Sequence, residues 1–262
     1  MFQAFGSDPG GPWQGYQALR DVLDPMLVDA AERAGAQVRR GCRAVSLPAC
    51  PLGASGPDRR VTGVVTTAGT VAAKVVVDAA GRRHWLHRQL GRSIRRVSPP
   101  LIAAYGYVPR EMGDAPYLRA QSDGWTRTAP ISSHASAWTH LTLNRGSRSW
   151  GGPPDGLDEA RPFTTPKGAD VTWRYTEQSA GPGWFVVGDA ASVVDPSASH
   201  GVLRALMSGA VAARAILDCA AGRTTEERAA AGYTKWIRDW FEHDVTRMHR
   251  LYRIFPSWPA RL

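Results

Sequence analysis

Residues 183–209 constrain the fold more than any other stretch. An apolar run, Trp184-Phe185-Val186-Val187, ends in Gly188-Asp189, passes through small residues to Gly201, and enters a long apolar helical pattern through Ser208-Gly209. A buried strand that closes on Gly-Asp and feeds a Gly-opened helix brings backbone and ligand close together. Gly188 removes the side chain that would collide with a ligand crossing the turn. Asp189, at the carboxyl end of the strand, is placed to accept hydrogen bonds from the hydroxyls of a sugar or polyol. The helix opening near Gly201 offers free N–H groups and a positive dipole end to an electron-rich ligand. A structural strand–turn–helix with Asp189 as a cap is the competing reading of the same residues.

Other segments are coarser. Apolar positions between residues 16 and 34 recur at helical spacing and Gly35 follows, which predicts a helix with Pro25 near its first turn. Residues 36–45 read as a strand, and residues 61–67 and 70–77 as a hairpin whose second strand feeds Asp78-Ala79-Ala80-Gly81. Residues 102–173 differ in character: short alternating runs at 102–108, 137–143 and 170–175, rich in Trp and Tyr, predict an antiparallel sheet with one solvated or ligand-facing side. Residues 144–167 read as loop, and helices are expected over 201–221 and from about 226 to 248. Strand–helix segments at both ends around a β-rich insert predict an α/β nucleotide-binding core interrupted by a substrate sheet.

Composition excludes several classes. The net charge is +9, and all but Lys74, Lys167 and Lys235 of the 32 basic residues are Arg. The Arg pairs at 39–40, 59–60, 82–83 and 95–96 are scattered rather than massed in a stripe, so the charge reflects composition and no nucleic-acid partner is expected. Cys42, Cys50 and Cys219 form neither a disulfide framework nor a metal spacing and fit a reducing, cytoplasmic compartment. The chain opens with neither a basic leader nor an apolar h-region. Its longest apolar stretch, residues 202–221, contains Arg204, Arg214 and Asp218, so no membrane span is expected. His243 and His249 fall on different faces of one helix, so core packing is preferred to a metal site there.

The Gly188-Asp189 segment is similar to the second FAD fingerprint of the flavin monooxygenases. Asp195-Pro196, Ser199-His200-Gly201 and Ser208-Gly209 resemble the tryptophan-halogenase-like branch. The resemblance implies that Asp189 binds the ribityl chain and that Gly201 and its neighbours lie under the flavin O2/N1 edge. His200 is then a flavin-side polar group or a helix cap. Residues 75–82 resemble the family's strand ending in Asp-Ala-x-Gly, which places Asp78 and Gly81 near the nucleotide half of the cofactor. Residues 19–36 resemble the helix before the adenine-side strand, with Arg20 as an FAD contact or a solvated surface residue. Residues 123–130 resemble a strand of the substrate sheet, and Trp125 and Trp138 are candidates for an aromatic pocket or for the core.

The implied fold is α/β. It is a partial FAD-binding, Rossmann-like core of the p-hydroxybenzoate hydroxylase type (residues 1–101 and 176–222), with an inserted antiparallel substrate domain (102–175) and a C-terminal helical segment (223–262). A full member opens with Gly-x-Gly-x-x-Gly on a βαβ unit. Gly6-Ser7-Asp8-Pro9-Gly10-Gly11 does not fit that pattern, so the expectation is a member lacking this unit and the halogenase catalytic Lys, for which Lys74 is no substitute. The function implied is an FAD-dependent oxidoreductase, a monooxygenase or halogenase-like enzyme acting on a small aromatic molecule or a protein tryptophan. Its electrons would come from a flavin reductase or a reduced nicotinamide, and no catalytic residue is assigned. The alternative is a non-catalytic remnant or binding module unable to hold FAD tightly. A Ser/His hydrolase is excluded, because there is no Gly-x-Ser-x-Gly elbow.

Overall fold

The computed structural model describes residues 7–12, 18–49, 59–109, 116–121, 124–143 and 165–253. In chain order these form β1 (Ser7–Asp8), β2 (Gly11–Pro12), α1 (Arg20–Arg33), β3 (Ala44–Ser46), β4 (Gly63–Thr66), β5 (Gly69–Ala72), β6 (Val76–Asp78), α2 (Trp85–Gln89), β7 (Ile94–Arg96), β8 (Ile102–Val108), β9 (Tyr117–Gln121) and β10 (Gly124–Ser132). There follow β11 (Ala135–Thr142), β12 (Lys167–Asp170), β13 (Arg174–Thr176), β14 (Ala180–Gly181), β15 (Trp184–Val186), β16 (Ser192–Val193), α3 (Gly201–Ala220) and α4 (Glu226–Tyr252).

Two sheets position the site. The smaller has the order β14-β15-β6, and in it β15 and β6 run parallel with Phe185 opposite Val77. The larger is antiparallel in the order β12-β8-β11-β10-β9. The α/β architecture with an antiparallel sheet between the two strands of a parallel pair is the one the sequence implies.

Helix α4 joins the two halves. Ala229, Tyr233, Ile237, Phe241, Asp244, Met248 and Tyr252 are buried at spacings of three and four, one stripe along the helix. Its first half enters the core under β15 with Trp184, Phe185 and Val186. Its second half packs Phe241, Met248 and Tyr252 against Ala103, Trp125 and Leu141 of the large sheet. Burying such side chains contributes about 1.5–3 kcal/mol each. Thr225 caps the helix by accepting a hydrogen bond from the Arg228 N–H, and Glu226 and Glu227 favour its positive end. No helix among the described residues is long and apolar enough to cross a membrane.

Several sequence expectations need correction. Helix α1 starts at Arg20, so Pro25 lies inside it rather than in its first turn. The ring leaves the Asp21 carbonyl without its helical donor, an orphan that water can satisfy because the helix buries none of its residues. Of residues 36–45 only the end is strand, since Gly41 turns at φ +70°. The supposed second hairpin strand divides: β5 pairs with β4, while β6 leaves for the parallel pair with β15. The run at 170–175 also divides, β12 joining the large sheet and β13 pairing with β7 and β16. Most of the 144–167 loop lies outside the described residues, as does Cys50, and Lys167 opens β12.

Candidate functional site

The parallel strands bring the two family-like turns together at their carboxyl ends, where open α/β sheets bind ligands. The Val187 N–H donates to the Asp78 carbonyl at 3.0 Å. His84, at φ 46°, clamps the turns. Arg174 Nε donates to His84 Nε2 at 2.9 Å, so Nδ1 carries the proton given to the Ala190 carbonyl at 2.8 Å. Burial pushes the His84 pKa down, which keeps the ring neutral for this double role.

Gly188 sits at φ +57°, and its N–H donates to Ser208 Oγ at 2.8 Å. A Cβ there would lie 3.2 Å from the Ala205 Cβ. The close approach that requires glycine is therefore to helix α3, whereas the sequence suggested a ligand. Asp189 is exposed, and among the described residues its carboxylate has no hydrogen-bond partner. It lies within the electrostatic reach of Arg20, Arg174 and Arg204.

Past Asp189 the chain reaches Asp195, which is 2% exposed. Its Oδ1 accepts from the Ser197 N–H at 2.7 Å and its Oδ2 from the Tyr252 hydroxyl, which itself accepts from Trp125 Nε1 at 2.7 Å. Burial pushes the Asp195 pKa up. Its carboxylate faces the core and braces the loop rather than a ligand. Pro196 opens a 3-10 turn that Ser199 ends in the left-handed region at φ 56°. His200 then precedes Gly201, and among the described residues no side chain caps the N-terminus of α3. A Cβ on Gly201 would meet nothing within 4 Å. The first-turn N–H groups of α3 therefore have no side-chain cap among the described residues.

The remaining candidates fall differently. Asp78 is buried, its oxygens accepting from the Ala80 and Leu86 N–H groups at 2.7 and 2.8 Å, so its carboxylate caps the chain. Gly81, at φ +75°, makes the turn between them possible. Arg20 is exposed, forms an ion pair with Asp24 at 2.6 Å, and lies in the field of Asp189 and Tyr107. Trp125 and Trp138 do not line one pocket. Trp125 pairs across with Leu141 and Trp138 with Thr128, so their side chains project from opposite faces. Both are 1% exposed; Trp138 lies over Gly106, and Trp125 lies under α4.

The Trp125 face continues, away from α4, into a half-buried row the sequence reading missed. Tyr105, Thr139 and Arg127 stand abreast, with Tyr107 one step along. Burial pushes the Arg127 pKa down. Alternation within β8 and β10 was the available signal. Also missed was a buried group behind the start of α3. Arg204 Nη2 donates to Ser192 Oγ at 2.5 Å, and its Nη1 lies 3.5 Å from Asp244 Oδ2.

No protein-family model matches the chain. It is 26% identical over 242 residues to a menaquinone reductase of Mycobacterium tuberculosis, covering 80% of this chain and 56% of that protein. It is 27% identical over 196 residues to the flavin-dependent halogenase armH5 of Armillaria mellea, covering 62% and 37% respectively. Among solved structures it superposes on the myxobacterial chondrochloren halogenase CndH with a TM-score of 0.74 and 25% identity, covering 92% of this chain and 61% of that one. The chain thus spans about half the length of the curated relatives it matches.

Proposed function

We propose, from this chain's membership of the FAD-dependent monooxygenase and halogenase-like flavoprotein superfamily, that it forms the ribityl and ring side of an FAD site and serves an oxidoreductase acting on an aromatic substrate. One observation carries the reading: Asp189, exposed and without a hydrogen-bond partner among the described residues, lies in the 3-10 turn just past the parallel strand β15, beside a helix with no side-chain cap among those residues. A polyol fits that carboxylate, and an electron-rich ring edge fits the N-terminus of α3. Arg20 stands at the same end of the site. Among the described residues no Gly-rich strand–turn–helix cradles a pyrophosphate.

FAD, when bound, supplies the redox chemistry, drawing electrons from a flavin reductase or a reduced nicotinamide. The chain's own contribution is placement. Asp189 fixes the polyol, α3 holds the ring edge, and the nucleotide-binding core sets both against the large sheet of β8 to β12. On that sheet the row of Tyr105, Tyr107 and Arg127 offers aromatic faces beside a cation, which suits an indole or a phenol and, on an exposed segment, a protein tryptophan. Hydroxylation or halogenation of such a ring is the reaction this placement serves. The menaquinone reductase relative puts an isoprenoid quinone into the same substrate screen.

The test is an FAD titration of the full chain, followed by flavin absorbance and fluorescence. Saturable binding is expected. Asp189→Ala, which removes charged hydrogen bonds of about 1.5–3 kcal/mol, should weaken binding roughly 10- to 150-fold and leave the urea midpoint unchanged. Absence of binding by the natural chain favours the alternative of a non-catalytic module, and an Asp189→Ala chain that binds FAD as the natural one does refutes the ribityl assignment.

A further inference from the structure

We infer that Asp244 and His200 form an oriented dyad, in which Asp244 holds the Nδ1–H form of His200 and leaves Nε2 as an outward-facing acceptor for an O–H or N–H of a phenol- or indole-like ligand. Only the identity of the ligand rests on the proposed function; the dyad does not.

Asp244 lies on the buried stripe of α4 and is 3% exposed. Its Oδ2 is 3.5 Å from Arg204 Nη1, and its Oδ1 is 3.8 Å from His200 Nδ1. Asp244 Oδ2 and His200 Nδ1 are both buried and make no hydrogen bond among the described residues. Arg204 is held elsewhere, by Ser192 Oγ at 2.5 Å and against the Trp240 and Phe241 rings at 6.0 Å. Arg204 thus faces Oδ2, and the group facing Oδ1 is the His200 ring, whose residue immediately precedes helix α3.

Buried polar atoms without partners are costly, about 1–3 kcal/mol each, and a small rotation of the imidazole closes the gap to hydrogen-bonding distance. A carboxylate accepts only, so the shared proton belongs to Nδ1. In a neutral ring Nε2 is then an acceptor. The His200 side chain is 31% exposed while Nδ1 is buried, so the accessible part of the ring is the part away from Asp244. A ligand hydroxyl or N–H at the mouth of α3 donates to Nε2. If the proton crosses, it leaves the ligand as its anion and His200 as an imidazolium balanced by Asp244. Asp244 is a positioning residue and His200 the group that meets the ligand.

The experiment is a long-range ¹H–¹⁵N correlation of the imidazoles in the labelled full chain, His200 being assigned by its absence from His200→Gln. The expected result is the Nδ1–H tautomer in the natural chain, lost or mixed in Asp244→Asn. A natural chain in the Nε2–H tautomer overturns the dyad without recourse to any variant, so a poorly folded Asp244 variant does not rescue it. Phenol and indole are then added to the same sample, with and without FAD. A saturable shift of the His200 Nε2 resonance is expected with at least one probe, and a resonance that neither moves overturns the acceptor role. Failure to bind FAD counts against the proposed function alone, because the tautomer is read without cofactor.

Discussion

Gly188 and Gly201 stand thirteen residues apart in one motif, yet the structure gives them opposite reasons for being glycine. At Gly188 an alanine must adopt φ +57°, which costs a residue with a Cβ about 1–2 kcal/mol. Its methyl also comes 3.2 Å from the Ala205 Cβ and 3.4 Å from the Ala205 Cα. Overpacking of this kind costs about 1–3 kcal/mol, and the lower entropy of the unfolded alanine chain returns about 0.4–1 kcal/mol. Gly188→Ala should therefore destabilise by about 2–3 kcal/mol in urea unfolding monitored by tryptophan fluorescence. It also pushes α3 away from the turn that carries Asp189, so FAD binding should weaken as well. At Gly201 the backbone is not in the left-handed region and a Cβ meets open space. Gly201→Ala should leave stability unchanged or raise it by about 0.4–1 kcal/mol, while the added methyl intrudes on the space assigned to the flavin edge and lowers FAD affinity. The reasoning is refuted if Gly188→Ala unfolds within 0.5 kcal/mol of the natural chain, or if Gly201→Ala binds FAD undiminished.

Two further outcomes follow from buried polar groups away from the ligand. Tyr252→Phe removes the hydroxyl between Trp125 Nε1 and Asp195 Oδ2; stranding both should cost about 2–5 kcal/mol, and a urea midpoint matching the natural chain would show that the bridge is dispensable. Burial pushes the His87 pKa down to about 4, so the native state binds fewer protons than the unfolded one. The stability His87 contributes is complete above the unfolded value of about 6.5 and is lost as pH falls toward 4, about 3 kcal/mol at 1.36 kcal/mol per pH unit. Asp195, whose pKa burial pushes up, slopes the other way as pH rises from about 4. The measurement is thus the difference between the natural chain and His87→Gln over pH 4–7, and a difference independent of pH sinks the assignment.

The contiguous parts of this site were legible in the sequence. Gly188-Asp189, Ser199-His200 and the start of α3 lie within fourteen residues, where chain order and spatial order coincide. The strand at 102–108 was legible too, because an alternating run reports its own period. What stayed hidden depended on partners far along the chain. Strand β6 reads as the tail of a hairpin until β15, about a hundred residues later, pairs with it. Asp78 reads as a ligand until the Ala80 and Leu86 N–H groups are seen to close on it.

The two tryptophans show the limit most clearly. Alternation along β10 and along β11 tells which residues share a face within each strand, but the relation between strands is a register. Here that register sets Trp125 against Leu141 and Trp138 against Thr128, and a shift of one residue would have put both rings on one face. The same argument governs the His200–Asp244 pair. Helical spacing on α4 puts Asp244 on the buried stripe and so marks it as a carboxylate in need of a partner. Only the packing of α3 against α4 decides that the partners are Arg204 and His200. A buried charge at a core position of an amphipathic helix is thus a sequence-level sign of a long-range polar contact, even where the other member cannot be read.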